Sequence, residues 1–342
     1  MSKDAASVTP GRRRILTGLQ PSGQLHLGNY CGAIQPLLGL QEAAAAGERK
    51  LFVFVASYHA LTSVADPAVL RANCRRVVID YLAFGLDPAK INLYLQQDVP
   101  AVTELAWLLA CVCPKAAMDR AVAYKEKVDR GAKPSLGLFT YPVLQAADIL
   151  GVRPDAVPVG ADQTQNVEYA RDLAGRFNRT YGDVFKVPEL LVRADGGTLP
   201  GVDGEKMSKS YGNTIDPFMD EKPLRKRIMK IKTDSADPAV AKDPEASAVF
   251  RIFSQIAGAD DLRTLALADR YRASGEAGMG YGEAKQALFE LVMDHFGPAR
   301  ARRAEILRDD ALVDGVLREG AAAANAVLAG VMDDARRACG LR

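Results

Sequence analysis

Short apolar runs alternate with amphipathic stretches through the first half of the chain. The run from Arg14 to Leu19 predicts a strand, and the continuous apolar run from Leu51 to Ala56 predicts a strand buried on both faces. Two further strands are predicted over Ile91 to Leu95 and Ala156 to Val159. Because helical patterns separate these runs, the fold class is predicted to be α/β, with a doubly wound parallel sheet.

Capping residues and apolar spacing predict the helices between the strands. Asp66 suits the N-cap, and Pro67 the first turn, of a helix that continues to about Phe84. After Asp162, apolar or small side chains recur at the spacing of one helix face, which predicts an amphipathic helix. The other predicted helices cover about 29–46, 102–113 and 135–150, and the face after Asp162 consists of residues 167, 170, 173, 174 and 177.

The chain changes character after about Asn213. Strand-like runs disappear, and the remaining segments are rich in Ala, Leu, Arg, Glu and Asp. We therefore predict an α/β domain over residues 1–213 and a mostly helical domain over residues 214–342. Helix breaks are predicted at Pro244, Gly258, Gly275–Gly282 and Gly297–Pro298.

Composition argues against a membrane or secreted protein. No stretch of eighteen apolar residues occurs, and the polar N-terminus lacks the apolar segment of a secretory signal. The five cysteines are odd in number and are expected to be reduced thiols in the cytoplasm. Cys111 and Cys113 have no second pair at metal-ligand spacing, so no protein-bound metal is expected.

The net charge of +2 does not by itself indicate a nucleic-acid partner, which would need a local basic surface. Two clusters could provide one. Each is either a phosphate-binding surface or a solvated helix face, and the sequence leaves both interpretations open. The first cluster is the segment Leu224 to Lys232, and the second consists of Arg300, Arg302, Arg303 and Arg308.

Three glycines lie in the loop between the first predicted strand and the first predicted helix. Gly18, Gly23 and Gly28 lack a Cβ, so the backbone there can approach a ligand closely. The following helix begins with free N–H groups and the positive end of its dipole, which suits phosphate. The pattern is neither G-x-G-x-x-G nor a Walker loop, so a flexible turn is the alternative.

A second candidate loop is Lys206-Met207-Ser208-Lys209-Ser210, which follows a Gly-flanked segment. Lysine acts as a mobile point charge for phosphates, and such charges stabilise a pyrophosphate group as it leaves. The alternative for an isolated pentapeptide of this kind is a solvated basic loop.

Together the two loops resemble a known family. His26-Leu27-Gly28-Asn29 and the Lys206–Ser210 loop resemble, in order and separation, the two sequence marks of class I aminoacyl-tRNA synthetases. Tyr141 to Leu150 (YPVLQAADIL) resembles a stretch of bacterial tryptophanyl-tRNA synthetases, and further matches lie at 18–23, 157–163 and 171–178. The resemblance implies a Rossmann-like catalytic domain, a helical domain that reads the anticodon, and a symmetric homodimer.

The resemblance implies a tryptophan–tRNA ligase that activates L-tryptophan with ATP and transfers it to tRNA(Trp). Mg²⁺ would accompany ATP as a phosphate ligand. Asp148 would accept the indole N–H, which suits an acceptor-only carboxylate because indole offers one donor and no acceptor. Tyr141 and Gln163 would hold the amino and carboxylate ends of tryptophan, and His59 would line the pocket.

The same resemblance assigns residues to ATP and to the leaving pyrophosphate. Lys206, Lys209, Lys127 and His26 would act on the phosphates. The expected ATP contacts are Gln20, Pro21, Ser22, Gly28, Asn29, Gly160, Ala161, Asp162, Thr198, Lys206, Met207, Ser208, Lys209 and Ser210.

The chain departs from the family pattern at several positions. Ala161 stands where many members have Glu, Ala123 where many have Gln, Gln145 where many have Met, and Leu16 where an aromatic is common. These departures concern the detail of the pocket and its affinity. The segment 98–155 is too short for an editing domain.

Three other functions are open to this sequence. A tyrosyl-tRNA synthetase is the nearest, and the A-A-D-I-L context disfavours it. A non-catalytic paralogue that binds tRNA or regulates expression would not need His26, Asn29, Lys206 and Lys209. Another nucleotidyltransferase that joins a small acid to AMP is disfavoured by the helical C-terminal part.

Overall fold

The computed structural model describes residues 13–21, 23–43, 50–129, 131, 133–160, 163–192, 199–234, 237 and 239–342. Within them one parallel sheet has the strand order β3-β2-β1-β4-β5. This order confirms the predicted doubly wound sheet and places the ligand crevice outside the carboxyl ends of β1 and β4. The strands are β1 (Ile15–Leu19), β2 (Leu51–Val55), β3 (Ile91–Leu95), β4 (Ala156–Val159) and β5 (Glu189–Val192).

The burial of each strand explains which strands the sequence predicts. All five residues of β2 are buried, because the sheet is covered on both faces. β5 was not predicted. It lies at an edge of the sheet, and none of its four residues is buried, so its sequence has no continuous apolar signal.

The long helices of the first half follow the predicted pattern, whereas three short helices over residues 57–60, 115–119 and 122–129 were not predicted. Asp66 caps α4, since its carboxylate accepts from the backbone nitrogens of Ala68 and Val69, and the predicted apolar face of α9 is buried. The helices are α1 (Leu27–Asn29), α2 (Gln35–Ala43), α3 (Ser57–Ala60), α4 (Pro67–Phe84), α5 (Ala101–Cys111), α6 (Lys115–Asp119), α7 (Val122–Asp129), α8 (Leu136–Gly151) and α9 (Thr164–Tyr181).

The first predicted helix is interrupted by a π-helical turn over Tyr30–Ile34, between α1 and α2. The Tyr30 ring packs against Phe84 and Phe296, with centroid distances of 5.1 and 4.7 Å. Its hydroxyl lies 2.8 Å from Nε2 of His295. The irregular turn is therefore held by side chains distant in sequence, which helical periodicity cannot reveal.

The second half is helical in the part that the structure describes, as predicted. One predicted break is wrong, because a single helix, α13, passes through Gly297 and Pro298. The helices are α10 (Glu221–Met229), α11 (Ala248–Ala257), α12 (Leu262–Arg272), α13 (Tyr281–Ile306) and α14 (Asp310–Ala338). Among the described residues no helix has both the length and the apolar character needed to cross a membrane.

Two long helices pack back onto the first half. α13 lies against α4, and α14 lies against β3. The approach of α14 is very close, since a Cβ added at Gly320 would overlap the carbonyl oxygen of Leu93. A glycine is needed at position 320 because the backbones of the helix and the strand are in direct contact there.

Candidate active site

The first signature, His26-Leu27-Gly28-Asn29, is a turn closed by hydrogen bonds between its own residues. The backbone nitrogen of His26 donates to Oδ1 of Asn29 (3.1 Å), and the nitrogen of Asn29 donates to the carbonyl of His26 (2.8 Å). The nitrogen of Leu27 donates to the carbonyl of Ile215 at 2.9 Å. This last bond fastens the start of α1 to the segment that follows the second signature.

The second signature, the Lys206–Ser210 loop, is held by a small hairpin and by Asn213. The Met207 nitrogen donates to the Leu199 carbonyl at 2.8 Å. Oδ1 of Asn213 accepts from the Ser208 nitrogen at 2.8 Å, and Nδ2 donates to the Lys206 carbonyl at 3.0 Å. A buried asparagine thus fixes the backbone on both sides of Met207.

The fold brings the two signatures together. A Cβ added at Gly28 would lie 3.0 Å from the His26 ring and 3.7 Å from Cβ of Met207. A Cβ added at Gly23 would lie 3.9 Å from Nζ of Lys209. The second lysine therefore lies over the glycine loop, and both glycines border the junction of the two segments.

Burial and charge set the protonation of this junction. Burial, together with the charge of Lys209, lowers the pKa of His26 to about 4, so the ring is neutral at neutral pH. Burial also lowers the pKa of Lys209, and the carboxylates of Asp80 and Asp216 oppose that shift. Lys206 is exposed. The junction can present two lysines and a neutral imidazole to an anionic ligand.

Asp148 lies on α8 with its carboxylate buried. Its Oδ2 is 2.9 Å from Nε2 of His59, and both of its oxygens are 2.8 Å from Nε2 of Gln96. Burial raises the pKa of Asp148, and the hydrogen bonds from His59 and Gln96 lower it. Nε2 of Gln20, at the carboxyl end of β1, donates to the His59 carbonyl at 3.0 Å.

Tyr141 and Gln163 lie beside this carboxylate network. The Tyr141 ring meets the His59 ring edge-on, with a centroid distance of 6.0 Å. Nδ2 of Asn166 donates to Oε1 of Gln163 at 3.0 Å and to the Tyr141 hydroxyl at 3.4 Å. The structure therefore brings together Asp148, His59, Tyr141 and Gln163, the four residues predicted to bind the amino acid.

The other predicted ATP contacts are only partly covered by the described residues. Pro21 is buried, and the Gly160 carbonyl accepts from the Gln163 nitrogen at 3.0 Å. Ser208 and Ser210 share a hydrogen bond of 2.8 Å between their hydroxyls. Lys127 lies in α7, but its side chain is outside the described part. Ser22, Ala161, Asp162 and Thr198 also lie outside the described residues.

Sequence reasoning missed Gln96 and Asn213. Gln96 follows the carboxyl end of β3 directly, a position at which ligand-binding residues of parallel sheets are found, and this signal could have identified it. Asn213 carries no such signal, because its role depends on a loop whose shape the sequence does not reveal.

The arginine cluster at 300–303 is mainly structural. Arg303 Nε donates to the buried Asp80 carboxylate at 2.7 Å. Arg300 and Arg302 donate to backbone carbonyls of Met219 (2.7 Å) and Ala83 (2.9 Å). These three side chains join α13 to the preceding segments, so the interpretation as a merely solvated helix face is wrong for them, and phosphate binding by this cluster stays a prediction.

The basic segment at 224–232 contains side chains with internal partners as well as exposed ones. Arg227 donates to the carbonyls of Thr214, at 2.9 Å, and of Gly212, and so supports the loop after the second signature. Arg225 donates to Oε1 of Gln286 at 3.0 to 3.1 Å. Lys226 and Lys230 are exposed and remain candidates for phosphate contacts.

A shallow pocket at the amino end of β4 and β5 is not part of this site. Its charged side chains pair with one another, as Arg13 does with Glu189 (2.6 Å) and Lys186 with Asp155. Among the residues that the structure describes, no three His, Cys, Asp or Glu side chains are grouped as metal ligands would be.

Comparison with known proteins gives consistent results. The family model for tRNA synthetases class I (W and Y) matches residues 10–297. The tryptophan–tRNA ligase of Rhodopirellula baltica is 46% identical over 329 residues, which cover 96% of this chain and 100% of that protein. The corresponding ligase of Fusobacterium nucleatum is 41% identical, with 96% and 98% covered.

The fold is also similar to a solved structure, the tryptophanyl-tRNA synthetase of Campylobacter jejuni complexed with ADP and tryptophan. The two chains superpose with a TM-score of 0.86 at 41% identity, and the match covers 96% of this chain and 99% of the other.

Proposed function

The chain belongs to the class I tRNA synthetases of tryptophan and tyrosine, and we propose that it acts as a tryptophan–tRNA ligase. It activates L-tryptophan with ATP to give tryptophanyl-AMP and pyrophosphate, and then transfers tryptophan to its tRNA. The relatives at 41–46% identity over nearly their whole length support tryptophan over tyrosine as the substrate.

The buried carboxylate of Asp148 is the observation that carries the choice of amino acid. Its surroundings are apolar on α8, and its partners His59 and Gln96 are both donors. A carboxylate offers about four acceptor sites, so it can accept the indole N–H as well. Phenylalanine offers no such donor and would leave the desolvated carboxylate less satisfied.

The first step needs no protein nucleophile. The tryptophan carboxylate attacks the α-phosphorus of ATP, and the bond to the pyrophosphate oxygen breaks. Lys206 and Lys209 stabilise the charge that develops on pyrophosphate. His26 lies beside Lys209, and within the described residues its buried Nδ1 has no hydrogen-bond partner, which fits a ring that faces the nucleotide.

The other ATP contacts follow from the resemblance. Gln20 and Pro21 follow β1, Gly160 follows β4, and Gly28 and Asn29 lie in α1; these residues are proposed to position the nucleotide. Mg²⁺ enters with ATP, bound to its phosphates. The same assignment extends to Ser22, Ala161, Asp162, Thr198 and Lys127.

The second step requires tRNA. The terminal ribose hydroxyl attacks the adenylate carbonyl, and AMP leaves. We propose that residues 214–342 read the anticodon, that the enzyme is a cytoplasmic homodimer, and that its interface includes the exposed apolar side chains Trp107 of α5 and Leu136 of α8. A monomeric mass by light scattering at micromolar concentration would contradict the dimer.

The decisive experiment is ATP–pyrophosphate exchange with each of the twenty amino acids. We expect exchange with tryptophan alone, and tyrosine-dependent exchange would instead identify a tyrosyl enzyme. A benzothiophene analogue, in which sulfur replaces the indole N–H, should be a poor substrate. Asp148→Ala should lower kcat/KM for tryptophan and narrow the gap between tryptophan and this analogue.

A matched control separates this effect from general damage. Asp119→Ala removes an exposed carboxylate that pairs with Lys115, and it should leave the discrimination between tryptophan and the analogue unchanged. If the wild-type enzyme uses the sulfur analogue as well as tryptophan, Asp148 does not read the indole nitrogen.

A further inference from the structure

Gln96 closes a ring of contacts around Asp148. Its side chain is 1% exposed and lies directly after β3. Its amide nitrogen is 2.8 Å from each Asp148 oxygen, and its amide oxygen is 2.8 Å from the backbone nitrogen of Tyr58. The residue after Tyr58 is His59, which contacts the same carboxylate. The ring therefore links the end of β3 to α3 and α8.

This ring admits one orientation of the Gln96 amide. The Tyr58 N–H is a donor and requires the amide oxygen, whereas the carboxylate is an acceptor and requires the amide NH₂. A flipped amide would place oxygen against oxygen and donor against donor. The backbone of α3 thus fixes the direction in which Gln96 donates to Asp148.

We propose that Gln96 is a positioning residue for amino-acid selection, which holds the Asp148 carboxylate in the orientation and charge state that accept the indole N–H. This inference rests on the proposed function, because it requires Asp148 to read the indole nitrogen. Gln96 acts through Asp148 and does not itself need to contact tryptophan.

The charge of Asp148 depends on few groups. Among the residues that the structure describes, the titratable side chains that interact with it are His59 of α3 and Tyr94 of β3. The pKa of Tyr94 is raised by its own burial and by Asp148. The buried side chains of α5, α9 and α14, which pack against α8, are apolar apart from Asn166 of α9. In this described part of the chain, hydrogen-bond donors rather than a neighbouring Lys or Arg therefore oppose the effect of burial.

The isosteric variant Gln96→Glu tests this role through the pH dependence of kcat/KM for tryptophan in ATP–pyrophosphate exchange. At low pH the two adjacent carboxyl groups share one proton, and the protonated Glu can donate to Asp148 as the amide does. As the pH rises this proton is lost, and two carboxylates face each other. We expect activity close to wild type near pH 6 and a fall of about tenfold or more by pH 9, mainly in KM for tryptophan.

Two further variants make the test specific. Gln96→Met removes the donor with little change in volume, so kcat/KM for tryptophan should fall about tenfold at every pH, with KM for ATP unchanged. Gln97→Glu adds the same charge at the exposed neighbouring position and should give the wild-type pH profile.

Two results would overturn the proposal: a Gln96→Glu profile parallel to that of wild type, or an unchanged kcat/KM in Gln96→Met. If Gln96→Glu does not fold, Gln96→Met decides. Failure of the proposed function has a different signature, because the wild-type enzyme itself would then show no tryptophan-dependent ATP–pyrophosphate exchange. If wild type exchanges with tryptophan but accepts the benzothiophene analogue equally well, Asp148 does not read the indole nitrogen.

Discussion

The guanidinium of Arg303 lies 2.7 Å from the buried carboxylate of Asp80, and the same group stacks over the Phe218 ring at 4.8 Å. Asp80 is on α4 and Arg303 is on α13, so this pair joins the two halves of the chain. A buried carboxylate that loses its partner is strongly unfavourable.

We therefore expect Arg303→Ala to lower the free energy of unfolding by about 3 kcal/mol, as measured by urea denaturation. Burial already raises the pKa of Asp80 above its unfolded value of 3.8. Its contribution to stability is thus greatest below that value and is lost as the pH rises through the folded pKa. Because the variant raises this pKa further, its deficit should be larger at pH 8 than at pH 5. Arg308→Ala, at an exposed position, is the control, and an equal effect of both variants would contradict the prediction.

Because the chain has three histidines, few ring signals need to be assigned, and the protonation of His26 can be measured directly by NMR. We expect NMR titration to give a pKa of about 4 for His26, assigned with His26→Asn, and a value below 6.5 for His295, whose pKa is lowered mainly by burial. Because unfolded His26 binds its proton near 6.5, its contribution should make the folded protein less stable as the pH falls from 6.5 towards 4. A His26 signal that titrates between pH 6 and 7 would show that its ring is solvated.

Lys209→Ala and Lys206→Ala should each slow adenylate formation about a hundredfold, while tryptophan binding changes little. The reason is that the charge these lysines meet develops as pyrophosphate departs. Pre-steady-state rates and the tryptophan Kd are the two measurements. Lys222→Ala, on the exposed face of α10, serves as the control. Unchanged adenylate formation in both loop variants would show that this loop does not act on pyrophosphate.

Arg227 and Lys226 are expected to behave differently although they are adjacent. Arg227→Ala removes the support of the Thr214 and Gly212 carbonyls and should slow both pyrophosphate exchange and tRNA charging. Lys226→Ala should affect charging alone, in a salt-dependent way, because a phosphate contact lies outside the adenylation chemistry. The prediction fails if both variants lose the same fraction of each activity.

Two glycines of α14 provide a matched test of packing. Gly320→Ala should destabilise the protein by about 3 kcal/mol or more, because the new Cβ would overlap the Leu93 carbonyl. Gly330→Ala lies on the same helix, where the new Cβ would meet no atom of the described residues within 4 Å apart from its chain neighbours and the backbone of its own helix. It should stabilise the protein by about 0.5–1 kcal/mol. Thermal unfolding of the two variants measures these changes. Shifts in Tm of the same sign would contradict a close contact between Gly320 and the Leu93 carbonyl.

Local signals account for what the sequence predicted. The buried run Leu51–Val55 and the Asp66 cap are readable within a few residues, and the two signature loops are contiguous motifs. β5 was missed because an exposed edge strand has no such run. The π-helical turn at Tyr30 was missed because it depends on packing against α4 and α13.

The same distinction between local signals and contacts distant in sequence holds for the candidate site. Asp148 was identified through a contiguous motif, whereas Gln96 acts on it across 52 residues of sequence. Arg303 reaches Asp80 across 223 residues, so its structural role could not be separated from phosphate binding by composition. Patterns of residue type predicted which residues gather at the candidate site, but the partners that orient their groups required the folded chain.

The seating of α14 on β3 has a consequence for synthesis on the ribosome. β3 lies at one edge of the described sheet, and residues 310–338, which pack against it, are translated long after residues 91–95. At a translation rate of about 5–20 residues per second, α14 is synthesised roughly ten to forty seconds after β3. During that interval the strand surface is a template for pairing with other nascent chains, and a chaperone that shields it should raise the yield of folded protein.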